Sequence, residues 1–177
     1  MKRAVFLDRD GVINQGISGS DQPFAPRSVG EFQIFPGVPE ALSRLRAAGF
    51  LLIVCTNQPD VRRGLIARGD VDAIHTYLRE QLPIDDVRVC FHDDSDKCAC
   101  RKPKPGLLIS AAVDWEIQLE RSFMVGDRWR DVGAGKSAGC STLLVNRFPE
   151  SFPAASTEPD IEFPDLVSGA GWILERL

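Results

Sequence analysis

Hydrophobic residues along the chain alternate between short continuous runs and longer stretches with helical spacing. The short apolar runs, which are typical of buried strands, occupy 4–8, 50–57, 86–92, 122–127 and 141–146. The stretches with helical spacing occupy 39–49, 70–82, 106–115 and 131–139. Strands that alternate with helices in this way predict an α/β protein with a Rossmann-like three-layer sandwich, in which helices cover both faces of a parallel sheet.

The C-terminal part of the chain departs from this alternation. Residues 147–164 contain four prolines and several small polar residues, which are typical of a surface connection. A helical pattern resumes at 165–177, and we expect this helix to cover an edge of the sheet. Its apolar positions are Leu166, Val167, Ile173 and Leu174.

Size, charge and cysteine content limit the function classes. A length of 177 residues predicts a single domain over 1–177. The net charge of −4 argues against a nucleic-acid or membrane partner. The N-terminus does not have the pattern of a secretory signal peptide, and no apolar stretch has the length of a membrane span. Five cysteines, three of them within 90–100, favour a reducing compartment and a metal site over disulfides. We therefore expect a monomeric cytoplasmic protein.

Two aspartates follow the first apolar run. Asp8 and Asp10 are two residues apart, so they face the same way if the segment is extended, at the sheet edge where ligands of α/β proteins bind. One carboxylate there can attack a phosphoryl group while the other protonates the leaving oxygen and later activates water. The alternative is an ordinary polar loop after a strand.

Other polar residues are predicted at the same edge. Thr56 and Asn57 close the second apolar run, where they either bind a phosphoryl oxygen or satisfy their own turn. The loop that contains Arg101, Lys102 and Lys104 offers cations for a phosphoryl group. For Lys104 we favour the alternative of a solvated basic loop.

A second acidic pair follows the fourth apolar run. Asp127 ends that run and Asp131 lies four residues later, a pattern that supplies carboxylates to a hard cation such as Mg²⁺. Asp8 and Asp127 would share the ion. The alternative for Asp131 is an acid in the first turn of a helix, where the helix dipole favours it.

Cysteine and histidine cluster in the loop at 90–100. Cys90, His92, Cys98 and Cys100 would be the four ligands of a closed structural zinc site, which would hold the loop that presents Arg101 and Lys102. Chance clustering of reduced cysteines is the alternative. Three further residues of these types are expected to be structural: Cys55, Cys140 and His75.

The segments DRDGVIN, TNQ, CRKPKPG and VGDRWRD together resemble the four ordered motifs of the haloacid dehalogenase superfamily of phosphohydrolases, over residues 3–146. The cysteine and histidine cluster is similar to that of a zinc-bearing subgroup whose members act on heptose bisphosphates or on histidinol phosphate. The resemblance implies the haloacid dehalogenase fold. The short stretches between motifs leave no room for a large cap domain, so the loop 15–33 and the zinc loop would select the substrate.

The resemblance also implies roles for individual residues. Asp8 would be the nucleophile and Asp10 the general acid and base, while Thr56 and Lys102 steady the phosphoryl group. Mg²⁺ would bind Asp8, the backbone carbonyl of Asp10, and Asp127. The residues implied in substrate binding are Asn14, Asn57, Gln58, Arg63, Arg101 and Arg128. After TNQ the subgroup usually has Ser-Gly-Ile-Ala-Arg-Gly, whereas this chain has Pro-Asp-Val-Arg-Arg-Gly at 59–64.

Three functions follow as hypotheses. The first is a Mg²⁺-dependent phosphatase that removes the 7-phosphate of a D-glycero-D-manno-heptose 1,7-bisphosphate, an intermediate of lipopolysaccharide or S-layer glycan assembly. The second has the same chemistry on histidinol phosphate. The third is an inactive, zinc-stapled binding module, which is disfavoured because all four motifs carry their functional residues. A phosphomutase is disfavoured because it needs a cap.

Overall fold

A computed structural model describes residues 2–16, 25–146 and 157–176 of the chain. The strands are β1 (Arg3–Leu7), β2 (Phe50–Asn57), β3 (Asp86–Cys90), β4 (Phe123–Gly126), β5 (Ser141–Val145) and β6 (Ile161–Phe163). The helices are α1 (Val38–Ala47), α2 (Arg68–Gln81), α3 (Gly106–Trp115), α4 (Trp129–Ala138) and α5 (Leu166–Leu174). The five strands and four helices that the alternating pattern predicts before residue 147 are all confirmed.

The six strands form one parallel sheet in the order β3-β2-β1-β4-β5-β6. Successive strands from β1 to β3 add on one side, and those from β4 to β6 add on the other. The side on which strands are added to the sheet therefore changes between β1 and β4. In an open α/β sheet, the crevice at the carboxyl ends of two such strands is the usual ligand site. Within the described ranges every strand belongs to this sheet, so this part of the chain contains no cap domain.

Helices cover both faces of the sheet, as a three-layer sandwich requires. On one face, Val5 and Leu7 of β1 pack in a core with α1, α2 and α5. On the other face, Ala4 and Phe6 of the same strand pack with α3 and α4. Because successive side chains of a strand point to opposite faces, an uninterrupted apolar run such as β1 contributes to both cores.

The C-terminal part corrects two expectations. Within 147–164, which the sequence predicts to be a surface connection, Ile161–Phe163 forms β6 and pairs with β5. Three residues between two prolines are too short for their alternation to be recognised. The helix α5 packs on a face, against α1, β5 and β6, whereas β6 itself forms the edge that this helix was expected to cover.

Two segments fall outside the described residues: 147–156, and 17–24 in the loop that was expected to help select the substrate. In the part of the chain that the structure describes, no helix has the length and apolar character needed to cross a membrane.

Candidate active site

The carboxyl ends of β1, β2 and β4 bring the predicted catalytic residues together. Asp8 follows β1, and its backbone N–H donates to the carbonyl of Val125 in β4 at 2.9 Å. This pairing sets Asp8 beside Asp127, which follows β4. Thr56 lies near the carboxyl end of the neighbouring strand β2, two residues after Val54, which pairs with Leu7 of β1. The site therefore lies at the crevice between β1 and β4.

Three carboxylates meet in this crevice. Asp8, Asp127 and Asp131 each offer an oxygen within 4.8 Å of the others, an arrangement that could hold a metal ion. Asp131 is in the first turn of α4, where its Oδ2 accepts the backbone N–H of Arg128 at 3.0 Å. The alternative interpretation of Asp131 as a helix-terminal acid is thus right about its position. It misses the burial of Asp131 and its membership of the cluster.

Lys102 places one positive charge among these carboxylates. Its Nζ donates to Asp8 Oδ1 at 2.8 Å, to Asp131 Oδ1 at 2.5 Å and to the carbonyl of Cys55 at 2.7 Å. The side chain is only 2% exposed. Burial alone would lower the pKa of Lys102, but the charges of Asp131 and Asp8 outweigh burial and raise it. Lys102 is therefore a permanent cation, and the cluster carries more negative than positive charge when all three carboxyls are ionised.

Burial and the unbalanced negative charge raise the pKa values of two of these carboxyls. Burial, and then repulsion by Asp131, raise the pKa of Asp8 from 3.8 to about 6, although Lys102 opposes the shift. Burial and the charge of Asp8 likewise raise the pKa of Asp127 well above 3.8. Asp127 Oδ1 is also buried without a hydrogen-bond partner among the described residues. A hard divalent cation with oxygen ligands would satisfy this atom and neutralise the cluster.

Glycines leave the space that the carboxylates occupy. Gly11 has a φ of +87°, and a Cβ there would lie 2.2 Å from Asp127 Oδ2. A Cβ on Gly126 would lie 2.0 Å from the Cβ of Asp131. A larger residue at either position would clash with the carboxylate beside it and displace that carboxylate from the cluster.

The carboxylate of Asp10 is held by donors from three residues. Arg9 donates to both oxygens, from Nε at 3.1 Å and Nη2 at 2.9 Å. Asn14 and Gln58 each donate a further hydrogen bond at 2.9 Å. Burial would raise the pKa of Asp10, but the charge of Arg9 and these hydrogen bonds outweigh it and lower the pKa. Gln58 also donates to Thr56 Oγ1 at 2.8 Å.

Asn57 binds the backbone of the basic loop. Its Nδ2 donates to the carbonyl of Lys102 and its Oδ1 accepts the N–H of Lys102, both at 3.1 Å. Because this pair of hydrogen bonds fixes the backbone of Lys102, Asn57 contributes to the position of the Lys102 ammonium group. The predicted contact of Asn57 with substrate stays a prediction.

The thiol cluster forms as the sequence predicts. Cys90 Sγ, His92 Nδ1, Cys98 Sγ and Cys100 Sγ all lie within 4.8 Å of one another. Separations between neighbouring ligand atoms run from 3.1 to 3.7 Å. A tetrahedral site with metal–sulfur bonds of about 2.3 Å places its sulfurs about 3.8 Å apart, so these four groups fit zinc.

The predicted substrate arginines differ in their surroundings. Arg63 donates to both oxygens of Asp93, at 2.7 and 2.9 Å, and Arg101 donates to Asp94 at 2.8 Å. Two aspartates of the cysteine loop therefore neutralise these two arginines. Arg128 is 57% exposed, with its Nε 3.9 Å from Asp127 Oδ2.

Sequence reasoning missed two residues around Asp10. It makes no use of Arg9, which is fully buried. It assigns His75 only a structural role, yet His75 Nε2 lies 3.0 Å from Arg9 Nη1. The one available signal was an arginine between two aspartates at the end of an apolar strand.

Known proteins resemble the chain over most of its length. A family profile described as haloacid dehalogenase-like hydrolase matches residues 21–139. A Helicobacter pylori protein named D-glycero-beta-D-manno-heptose-1,7-bisphosphate 7-phosphatase is 38% identical over 160 residues, covering 85% of this chain and 87% of the relative. A Mycobacterium tuberculosis protein named for the alpha form of that substrate is 39% identical over 156 residues, covering 80% and 78%.

A solved structure is also similar throughout. The crystal structure of D,D-heptose 1,7-bisphosphate phosphatase from B. bronchiseptica, complexed with magnesium and phosphate, has a TM-score of 0.83 and 31% sequence identity. The match covers 100% of each chain.

Proposed function

The chain belongs to the haloacid dehalogenase-like hydrolases. Because relatives that match most of its length are named as 7-phosphatases of a heptose 1,7-bisphosphate, we propose that it removes the 7-phosphate of a D-glycero-D-manno-heptose 1,7-bisphosphate. The observation that best supports phosphatase chemistry is the buried group of Asp8, Asp127, Asp131 and Lys102 at the crevice between β1 and β4. Asp10 lies beside it, so a nucleophile, an acid and base, and a cation are present together. An inactive binding module would not need this complete set.

In the first step, an oxygen of Asp8 attacks phosphorus. The bond between that oxygen and phosphorus forms while the bond from phosphorus to the sugar oxygen breaks. Asp10 gives a proton to the departing oxygen; it takes this proton up when the phosphate dianion binds, because the nearby negative charge opposes the effect of Arg9 on its pKa. Thr56 donates a hydrogen bond to a phosphoryl oxygen. The Lys102 ammonium, whose three N–H groups are directed at Asp8, Asp131 and the carbonyl of Cys55, supplies positive charge beside the phosphoryl group. The products of this step are the aspartyl phosphate and the sugar alcohol.

In the second step, water attacks the phosphorus of the aspartyl phosphate. Asp10, now ionised, takes a proton from the water, and the bond between Asp8 and phosphorus breaks. Inorganic phosphate leaves, and the carboxylate of Asp8 is regenerated. The low pKa of Asp10 suits this step, because the carboxylate is ready to accept the proton.

We assign Mg²⁺ to Asp8 and Asp127, with the backbone carbonyl of Asp10 as a further ligand. The ion would neutralise charge between the carboxylate of Asp8 and the phosphate dianion. Asp131 accepts hydrogen bonds from Lys102 Nζ and from the backbone N–H of Arg128. It therefore holds the Lys102 ammonium group and the start of α4 in place. The partnerless Oδ1 of Asp127 supports this assignment.

Mg²⁺ should stabilise the protein more near neutral pH than in acid. The pKa of Asp8 in the metal-free fold is about 6, above 3.8, so the folded state holds this proton more tightly than the unfolded chain. The stability that the protonated Asp8 carboxyl contributes is therefore complete below about pH 4 and is lost as the pH rises through about 6. Mg²⁺ competes with that proton, so the rise in melting temperature on adding Mg²⁺ should be larger at about pH 7.5 than at about pH 4.5.

The control for this prediction is Asp127→Asn, which should reduce the effect of Mg²⁺ at both pH values. An equal rise in melting temperature at the two pH values in the unsubstituted protein would argue against Mg²⁺ at these carboxylates.

We propose that zinc binds Cys90, His92, Cys98 and Cys100 and holds the loop in front of Lys102. Cys98→Ser should then lose zinc and about 3 kcal/mol of stability, the linkage expected for a ligand present at about 100 times its Kd. Metal analysis and chemical unfolding of the same sample test this. The control is Cys140→Ala, which changes a buried thiol outside the cluster and should retain the zinc. Full zinc content in Cys98→Ser would contradict the assignment.

The free thiols also support a reducing compartment, the cytoplasm. All five cysteines of the chain are free in the structure, and a zinc site of three thiolates needs them reduced.

The experiment that tests the function is phosphate release with Mg²⁺ from four compounds side by side. These are the alpha and beta forms of the heptose 1,7-bisphosphate, the heptose 1-phosphate and histidinol phosphate. We expect hydrolysis of the bisphosphates only, with Arg128 binding the phosphate that is not removed, so that Arg128→Gln raises KM more than it lowers kcat. A preference for histidinol phosphate would overturn the sugar substrate while leaving the phosphatase chemistry in place.

A further inference from the structure

Arg9 is the most deeply enclosed charge next to the active site. It is fully buried, and its guanidinium lies 6.0 Å from the centre of the Phe32 ring. A buried guanidinium is stable only when its donors and its charge are met by partners. Two of its nitrogens, Nε and Nη2, donate to the two oxygens of Asp10. The remaining nitrogen, Nη1, points to His75 on α2.

His75 must accept this hydrogen bond. Arginine has only donors, so Nε2 of His75, 3.0 Å from Arg9 Nη1, carries the lone pair and the ring is neutral with its proton on Nδ1. Burial, and then the positive charge of Arg9, lower the pKa of His75 to about 4, and Arg79 adds to this while Asp10 opposes it. The ring therefore stays an acceptor across the neutral range.

We propose that His75 and Arg9 are positioning residues for Asp10. His75 fixes the rotation of the guanidinium, and the guanidinium fixes the plane and the charge of the Asp10 carboxylate. The inference rests on the proposed function, because it takes Asp10 as the general acid and base.

The geometry explains why two residues are needed. A bidentate pair between guanidinium and carboxylate is directional only if the guanidinium itself cannot turn. Phe32 covers the guanidinium and His75 holds its far nitrogen, so Asp10 meets a fork of fixed orientation. Asn14 and Gln58 complete the cage around the two carboxylate oxygens. The side chain of Asp10 nevertheless stays 20% exposed, so a bound substrate can reach it.

The test compares His75→Met with His75→Gln. Methionine is similar in length but offers Arg9 no good acceptor, whereas the amide oxygen of glutamine can replace Nε2. For each protein kcat/KM is measured on an alkyl phosphate and on p-nitrophenyl phosphate. The alkyl phosphate is the heptose bisphosphate or, failing that, the alkyl ester that the unsubstituted protein hydrolyses best. An alkoxide needs a proton to leave, but p-nitrophenolate does not, so only the first substrate depends on a well-placed Asp10 during this step.

We expect His75→Met to lose about 10-fold or more on the alkyl phosphate, part of the about 10²–10⁴-fold that acid–base catalysis contributes. On p-nitrophenyl phosphate the loss should be below about 3-fold, and His75→Gln should keep both rates. Equal losses on both substrates would mean a structural role and would overturn the inference. No loss at all in His75→Met would overturn it as well. An unsubstituted protein inactive on the heptose bisphosphate would instead overturn the proposed substrate, and the ratio on the other alkyl ester would still decide the role of His75.

Discussion

Asp8→Asn should abolish phosphate release, with a loss of at least about 10⁴-fold in kcat, because the amide cannot form the aspartyl phosphate. The substitution is nearly isosteric, and an amide oxygen can still accept the hydrogen bond that Lys102 Nζ donates to Asp8 Oδ1. The measurement is phosphate release with Mg²⁺, together with trapping of the phosphorylated protein by rapid quenching. Phosphoenzyme should form in the unsubstituted protein and be absent in Asp8→Asn.

Unfolding experiments separate this loss from a loss of structure. Burial and repulsion already raise the pKa of Asp8, so its charge near neutral pH destabilises the metal-free fold. Asp8→Asn should therefore be at least as stable as the unsubstituted protein without Mg²⁺, and should gain less from Mg²⁺. The matched control is Asp114→Asn on α3, an exposed carboxylate whose partner is Arg88. Asp114→Asn should leave the rate of phosphate release unchanged. Substantial activity in Asp8→Asn would exclude Asp8 as the nucleophile.

The order of strands and helices could be predicted from the sequence because the strands before residue 147 lie in apolar runs of five residues or more, and the helices in stretches with a helical apolar period. The family and its hydrolase activity were predictable for a different reason, since four separate motifs occur in the expected order, and both predictions are confirmed. β6 could not be predicted, because Ile161–Phe163 has only three residues and owes its strand form to pairing with β5. Short strands depend on their neighbours more than on their own sequence.

The partners of the site residues were less predictable than the residues themselves. Asp131 has the sequence signature of a helix-terminal acid, and only the turn after β4 reveals that its other oxygen binds Lys102. Arg63 and Arg101 were predicted as substrate ligands, and the structure pairs them with Asp93 and Asp94. Each of these pairings joins two residues that do not belong to the same motif, so spacing within a motif carries no information about them.

Lys102→Met should remove both activity and stability. Its ammonium group is the buried partner of Asp8 and Asp131, and breaking a buried ion pair by removing one partner costs about 3–5 kcal/mol. The rate of phosphate release should fall by about 10²–10³-fold, because the positive charge beside the phosphoryl group is lost as well. Lys104→Met is the matched control, since Lys104 is exposed and its Nζ donates only to backbone carbonyls in the cysteine loop. It should lose less than about 1 kcal/mol.

The pH dependence of this loss identifies its cause. Without Lys102 the folded-state pKa of Asp8 should rise further, because the neighbouring positive charge that lowers it is removed. The fold then holds the proton of Asp8 more tightly than the unfolded chain does, so the destabilisation is small below about pH 4 and grows as the pH rises through the folded-state pKa of Asp8. Chemical unfolding at about pH 4.5 and about pH 7.5 should therefore give a larger loss at the higher pH, and Mg²⁺ should recover part of it only there. A loss of equal size at both pH values would mean that Lys102 stabilises the fold by packing, and the charge balance proposed for the site would be wrong.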